Sequence, residues 1–279
     1  MRIFNLSDLQ NIIDFLHDNH GFDFSGYRKT MLNRRIHKRL SALKLTDLAK
    51  YKEYLEHNSS ELDALVDVLT INFSQFFRNT FTFEYFTDHL LTKLILEKYK
   101  SKDRSLRIWS SGCAAGEEPY SIAILIKEIF EKEKLSLNTT IIATDIDKES
   151  LNFAKKGVYS SESIVNVKHS LVEKYFKQKE NVFQLKPEIK QMIRFSEFDM
   201  VNKKTNVPPE SIYGNFDIVA CRNLLIYFES DSQNMIFNKL YQSLNTNGIL
   251  FLGEAEIPFG KFKNKFSRLS KYHKIYRKI

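Results

Sequence analysis

Three short stretches carry polar residues whose types and order could do chemistry. The first, Ser110-Ser-Gly-Cys-Ala-Ala-Gly116-Glu-Glu-Pro-Tyr-Ser121, reads as a glycine-containing turn that opens a helix. Glycine, above all Gly112, lets the backbone approach a ligand, and free N–H groups are expected to point outward from such a turn. The pattern is not the G-x-G-x-x-G of dinucleotide sites, and the adjacent carboxylates Glu117 and Glu118 would repel a pyrophosphate. A cationic ligand suits them better. S-adenosylmethionine carries a sulfonium, an ammonium group and ribose hydroxyls, all of which acids at strand ends can accept.

The second stretch, Thr140-Ile-Ile-Ala-Thr144-Asp145-Ile-Asp147, ends a strand-like run with an acid. Asp145 at that point suits ribose hydroxyls as a bidentate acceptor. Its alternative role is a helix N-cap, a task equally open to Asp147. The third, Cys221-Arg-Asn-Leu-Leu-Ile-Tyr-Phe228, follows another strand-like run and offers Arg222, Asn223 and Tyr227. Ligands of open α/β sheets sit outside the carboxyl ends of the strands. A methyltransferase acting on base amino groups would place Asp/Asn-Pro-Pro-Tyr/Phe here. Asn206-Val-Pro-Pro-Glu210 has an extra residue, the wrong last residue and the wrong side of the strand, and reads as a loop.

A sheet is needed to bring these stretches together. From Phe81 onward, strand-like runs at 106–110, 140–144, 216–220 and 248–252 alternate with helical ones. That rhythm predicts an α/β fold: a doubly wound, Rossmann-like parallel sheet, with a final antiparallel strand within 266–279. The rhythm breaks over 158–198, where 181–185 and 191–195 read as strands of a small antiparallel β insertion. Residues 1–70 show no strand-like alternation and read as four helices opened by Ser7, Ser25, Thr46 and Ser60. A small all-helical domain over 1–70, a linker over 71–85 and a sheet domain over 86–279 follow. The linker, Thr70-Ile-Asn-Phe-Ser-Gln-Phe-Phe-Arg78, is too aromatic for a passive spacer. It should pack over the sheet, where Asn72, Ser74 and Arg78 would close the site.

With 279 residues, 43% apolar, the chain can bury a sizeable core. No run approaches about 18 uncharged apolar residues, and the N-terminus lacks the apolar stretch of a secretory signal. Cys113 and Cys221 form no disulfide framework and no metal-ligand spacing, so a cytoplasmic protein without a metal is expected. The net charge of +8 is uneven: residues 24–52 hold nine Lys/Arg against Asp47 alone, and 261–279 hold eight and no acid. Two basic zones on an otherwise acidic body point to a localised anionic partner: nucleic acid, a membrane surface or an acidic protein. The plainer reading is a solvated helix face. Arg34/Lys38 and Arg35/Arg39 repeat like charges four apart on one helix, which weakens it in isolation and favours a partner surface.

Taken in order, these motifs resemble the chemotaxis receptor methyltransferase (CheR) family. The resemblance spans the helical N-domain, the Asn-x-Ser-x-Phe-Phe-Arg linker, the Gly-Glu-Glu-Pro-Tyr-Ser turn, Asp-Ile-Asp and Cys-Arg-Asn-x-x-Ile-Tyr-Phe. It implies a class I methyltransferase fold and methyl transfer from S-adenosylmethionine to chemoreceptor glutamates, leaving S-adenosylhomocysteine. It implies that Asn72, Ser74, Arg78, Glu118, Asp145, Asp199, Met200, Arg222 and Asn223 line the cofactor site. Arg78 and Tyr227 would stand next to the transferable methyl. Ser74 replaces the commoner Thr, and Asp199-Met200 stands where Asn-Leu is frequent. The basic helix, with Arg34, Arg35, Lys38 and Arg39, would meet the acidic helical region of the receptor. Some members also grip a receptor-tail peptide through a glycine-rich loop in the β insertion. Here that loop, 176–183, is short and glycine-free, and no tether binding is expected. A monomer is expected, working at membrane-bound receptor arrays without inserting and binding no nucleic acid. The rival classes are a nucleic-acid methyltransferase, favoured only by a pI of 9.2, and a non-catalytic S-adenosylmethionine-sensing module, against which intact Arg78 and Tyr227 weigh.

Overall fold

The computed structural model describes residues 5–70, 74–211 and 214–279; Asn72 lies outside them. The chain divides into two compact units, Met1–Asn72 with Ile226–Asn234, and Phe73–Leu225 with Met235–Ile279.

The first unit holds α1 (Leu6–His20), α2 (Lys29–Ala42), α3 (Leu48–Glu56) and α4 (Ser59–Thr70). Each buries an apolar stripe at helical spacing, such as Leu9/Ile12/Ile13/Leu16 and Met31/Leu32/Ile36/Leu40. The caps fall beside those expected: Asn5 rather than Ser7 starts α1, Asp47 rather than Thr46 starts α3, and α2 begins after Arg28 with no side-chain cap. An Asn or Asp oxygen reaches the same orphan N–H groups as a serine hydroxyl, so neighbouring candidates compete on nearly equal terms.

At the centre of this unit stands Glu61, only 5% exposed. It accepts from Arg39 Nε at 3.0 Å and Nη2 at 2.5 Å, and from the Tyr51 hydroxyl at 2.7 Å. Arg39 therefore ties α2 to α4 instead of standing free on a docking face. Arg35 also turns inward and donates to the Val68 carbonyl, while Arg34 and Lys38 are exposed. The stretch Ile226–Asn234, expected in the sheet domain, belongs with the helices. Tyr27 and Phe228 form a β-bridge with rings 4.4 Å apart, and Arg28 N–H donates to the Tyr227 carbonyl at 2.8 Å.

The second unit opens with α5 (Thr80–Tyr85), which runs through a π-helical turn (Phe86–Leu91) into α6 (Thr92–Lys100). Its main sheet has five parallel strands: β1 (Ser105–Ser111), β2 (Asn138–Asp145), β6 (Ile193–Glu197), β7 (Phe216–Cys221) and β8 (Leu244–Leu252). The hairpin of β9 (Phe266–Arg268) and β10 (Ile275–Lys278) completes it, with β10 antiparallel to β8. The strand order is β6-β2-β1-β7-β8-β10-β9. Crossovers are made by α7 (Glu117–Glu133), α8 (Lys148–Lys156) and α11 (Ser230–Ser243). All six residues of β7 are buried, as a strand covered on both faces requires.

The β insertion is smaller than 158–198. It comprises β3 (Val158–Ser160), β4 (Phe176–Lys179) and β5 (Val182–Leu185), antiparallel in the order β3-β5-β4, with α9 (His169–Tyr175) before β4. The run at 191–195 was expected there, but after the short α10 (Pro187–Lys190) it enters the main sheet as β6, parallel to β2. Its apolar pattern marks a strand without marking the neighbour it pairs with.

Among the described residues no helix is long and apolar enough to cross a membrane. Glu61→Ala strands the Arg39 charge and the Tyr51 hydroxyl and is expected to cost on the order of 2–3 kcal/mol of stability. Arg34→Ala and Lys38→Ala should stay within about 0.5 kcal/mol. Chemical denaturation measures both.

Candidate active site

The parallel strands of the second unit deliver β1, β2 and β7 to one edge of the sheet, carboxyl ends outward. The turn after β1 needs its glycines: Gly112 has φ +68° and Gly116 φ +89°. A β-carbon on Gly116 would come within 2.9 Å of the Ala154 side chain, so α8 can pack closely only against glycine. Four of the turn's N–H groups are taken up within the protein. Gly112 and Cys113 donate to the Thr144 carbonyl, Gly116 to the Cys113 carbonyl and Ala114 to Asp145 Oδ2 at 2.8 Å.

Glu117 and Glu118, at the start of α7, part company. Glu117 is buried within the protein, hydrogen-bonded by Ser74 and Ser163, and burial raises its pKa. Glu118 stays half-buried at the strand ends. Its Oε1 accepts from Ser110 Oγ at 2.8 Å, and its Oε2 lies 3.4 Å from Arg222 Nη1. Burial raises the Glu118 pKa above the ordinary carboxylate range, with Arg222 and Ser110 offsetting part of the rise.

Arg222 stands behind Glu118, its side chain only 2% exposed. The guanidinium lies 4.8 Å from the Phe83 ring and 4.6 Å from that of Phe251, and Nη2 donates to the Arg78 carbonyl at 2.8 Å and to Asn79 Oδ1 at 3.2 Å. It supports Glu118 and the 78–79 backbone at the end of β7, the place where the resemblance implies the cofactor site. The described part of the linker, from Ser74, packs as its aromatic content implied. Phe76 stacks edge-on to Tyr159 and Phe176, and the Phe77 N–H donates to Ser121 Oγ at 2.9 Å. Arg78 itself is half-buried.

Asp145 ends β2 with Oδ1 accepting from Asp147 N–H at 3.0 Å and Oδ2 from Ala114 N–H at 2.8 Å. A carboxylate accepts about four hydrogen bonds, so capacity remains for a ligand hydroxyl. Burial raises the Asp145 pKa against the lowering effect of these bonds. The cap of α8 is Asp147, which accepts from Glu149 and Ser150 N–H, so Asp145 is released from that task. Beyond β6, Met200 is buried with Sδ 3.6 Å from Ser111 Oγ, and Asp199 Oδ1 accepts from Val201 N–H at 2.8 Å.

Three further residues organise this edge, and two of them, Glu256 and Lys239, carry no sequence motif. Ser110 orients Glu118, as described. Glu256, buried, takes the N–H groups of Asn223 at 2.9 Å, Leu225 at 2.7 Å and Gly253 at 2.7 Å, which holds Asn223 at φ 59°. Lys239 is buried on α11 and donates to the carbonyls of Asp199 and Asn202, holding the loop after β6; burial lowers its pKa to about 8. The only hint in the sequence is an acid three residues after Gly253, just past the end of a strand. Tyr227 is counted with the helical unit, where it lies within electrostatic reach of Arg35.

Two carboxylates at the carboxyl ends of the strands, whose charge burial makes costly, fit a cationic ligand carrying a ribose. A mostly parallel α/β sheet bearing such acids in place of a dinucleotide fingerprint is the architecture of S-adenosylmethionine-dependent methyltransferases. The chain belongs to the CheR methyltransferase family: residues 7–70 match "CheR methyltransferase, all-alpha domain", and residues 72–275 match "CheR methyltransferase, SAM binding domain". A chemotaxis protein methyltransferase of Borreliella burgdorferi is 31% identical over 252 residues, covering 89% of this chain and 87% of the relative. Chemotaxis protein methyltransferase 2 of Vibrio cholerae is 31% identical over 253 residues, 90% and 85%. The chemotaxis protein methyltransferase of Escherichia coli is 29% identical over 275 residues, 94% and 88%.

The raised Glu118 pKa has a consequence for binding. The ionised form is the one a cation favours, so affinity for S-adenosylmethionine should fall as pH drops through that raised pKa, above the ordinary glutamate value of about 4.3. Glu118→Gln should bind about tenfold or more weakly and flatten the pH dependence. Calorimetry across the acidic range reads both.

Proposed function

We propose that this protein is a protein-glutamate O-methyltransferase, moving the methyl group of S-adenosylmethionine to glutamate side chains in the acidic helical region of chemoreceptors. The observation that carries the reading is the match of both parts of the chain, all-alpha and cofactor-binding, to one family whose relatives are named chemotaxis protein methyltransferases.

The chemistry makes modest demands. A glutamate of ordinary pKa, about 4.3, is already ionised at neutral pH, so no general base is needed. S-adenosylmethionine supplies an activated methyl: an O–CH3 bond forms as the S–CH3 bond breaks, and the electron pair stays on the sulfur of S-adenosylhomocysteine. The protein supplies position and desolvation, which in well-oriented systems are worth on the order of 7–11 kcal/mol. In this reading Glu118 faces the positive end of the donor, Asp145 takes the ribose hydroxyls, and Met200 offers apolar surface. Asn72, Ser74, Gly112, Asp199 and Asn223 complete the site, and Arg222 keeps Glu118 and the Arg78 backbone in place. Arg78 holds the incoming carboxylate, and the Tyr227 hydroxyl sets its direction of attack. On α2 the exposed Arg34 and Lys38 meet the receptor, while Arg35 and Arg39 hold the helix they stand on. A cationic face toward an acidic substrate speeds encounter and sets register.

A receptor-tail tether is no part of this reading. The β4–β5 hairpin turns through Glu180-Asn181 alone and offers no glycine-rich loop. Calorimetric titration with a receptor-tail peptide should show no binding, and micromolar affinity would contradict this.

Labelled methyl should pass to a receptor cytoplasmic fragment and be released by mild base as methanol, the mark of a methyl ester. Base-stable label, or none, contradicts the reading. Tyr227→Phe should lower kcat by about 10²-fold, the order that a misplaced reactant costs, with cofactor affinity unchanged. Arg34→Glu with Lys38→Glu should raise the receptor KM and weaken its salt dependence.

A further inference from the structure

The basic zone at 261–279 has no place in the function above. The fold places its eight Lys/Arg differently. Lys278 is spent internally, its Nζ donating to the Tyr241 and Leu244 carbonyls at 2.7 Å each, and Lys265 lies over the Tyr241 ring. Arg268, whose Nη2 donates to the Lys271 carbonyl at 2.6 Å, Lys271 and Lys274 sit on or beside the 269–274 turn between β9 and β10. Because β10 runs antiparallel to β8, this turn lies at the carboxyl end of β8, where Leu252 N–H donates to the Lys274 carbonyl at 2.9 Å. That is the sheet edge that carries Asn223 and Glu256.

The turn is fastened to α5. The Tyr85 hydroxyl donates to the Leu269 carbonyl at 2.9 Å, and Thr82 Oγ1 lies 3.0 Å from His273 Nδ1. Ser270 Oγ accepts from the Tyr272 and His273 N–H groups, which fixes the turn from within. So held, Tyr272 is 80% exposed, and Phe81, the residue before Thr82, is 82% exposed. Arg268 and Lys271 are exposed beside them. Among the described residues none of the eight basic side chains forms an ion pair. Cations without acidic partners, interleaved with aromatics this exposed, have the composition of a contact surface.

We infer that Phe81, Arg268, Lys271, Tyr272 and Lys274 form a docking rim, within the sheet unit itself, for the acidic amphipathic segment that flanks the methylated glutamate. The inference rests on the function proposed above. In an acidic amphipathic helix, residues three and four positions from the offered carboxylate share its face, beside the apolar stripe. The rim meets both, with cations for the flanking carboxylates and two aromatic faces for the stripe, so it selects acidic sequence around the target.

The test uses the full chain and a fluorescent cytoplasmic chemoreceptor fragment. Lys271→Glu with Lys274→Glu, and separately Tyr272→Ala, are compared with Lys261→Glu plus Lys263→Glu, an equal charge change at exposed positions outside the rim. Rim variants should bind the fragment about tenfold more weakly and raise its KM about tenfold, with S-adenosylhomocysteine affinity unchanged and the control within about twofold of wild type. The inference is overturned if wild type does not bind the fragment, if the rim variants bind as wild type does, or if the control loses as much. It is equally overturned if the rim changes abolish binding to phosphatidylglycerol vesicles and spare the fragment. A fragment bound at the rim that never acquires a methyl ester contradicts the proposed function and leaves the rim standing. A fragment methylated equally well by wild type and rim variants does the reverse.

Discussion

The ion pair of Glu118 and Arg222, 3.4 Å apart and largely cut off from water, ties together three segments at the carboxyl edge of the sheet. A pair of this kind gives up hydration that its mutual attraction alone does not restore. Here the balance is met by a network: Ser110 on the carboxylate, two aromatic faces around the guanidinium, and the Arg78 carbonyl and Asn79 oxygen as further acceptors. One pair thereby joins the turn after β1, the end of β7 and the segment that precedes α5. It also leaves Glu118 as an acid whose negative charge is only partly compensated, which is the electrostatic condition that a sulfonium or ammonium group satisfies.

The same device recurs at two other points. Glu256 gathers three backbone N–H groups and so sets the path of the chain through Asn223, and Glu61 gathers Arg39 and Tyr51 in the helical unit. In each case a buried carboxylate with several donors fixes a local geometry that apolar packing leaves loose, since packing is non-directional and hydrogen bonds are not. Apolar burial accounts for the sheet and its helices, while buried acids account for where the polar groups point.

The parts legible in the sequence were those governed by local pattern. Alternating strands and helices announced the parallel sheet, and the adjacent acids Glu117 and Glu118 pointed to a cationic ligand. What escaped depends on contacts between distant residues. The strand at 193–197 could be seen, but its partner β2 could not, so it was assigned to the insertion. Arg39 has the spacing of a surface cation, and only Glu61, 22 residues away, makes it internal. Glu256 and Lys239 look like ordinary surface residues until the fold closes over them. Tyr227 stands out in the sequence by type and motif, while its stretch is counted with the helices, because Tyr27 and Arg28 bind a segment 200 residues further along the chain.

The most direct measurement is a crystal structure of the protein with S-adenosylhomocysteine. The ligand's amino group should lie within hydrogen-bond distance of the Glu118 carboxylate, with both ribose hydroxyls on Asp145 and the Glu118–Arg222 pair intact behind them. A ligand bound away from the strand ends, or one that displaces Glu118 from Arg222 to make room, would contradict it.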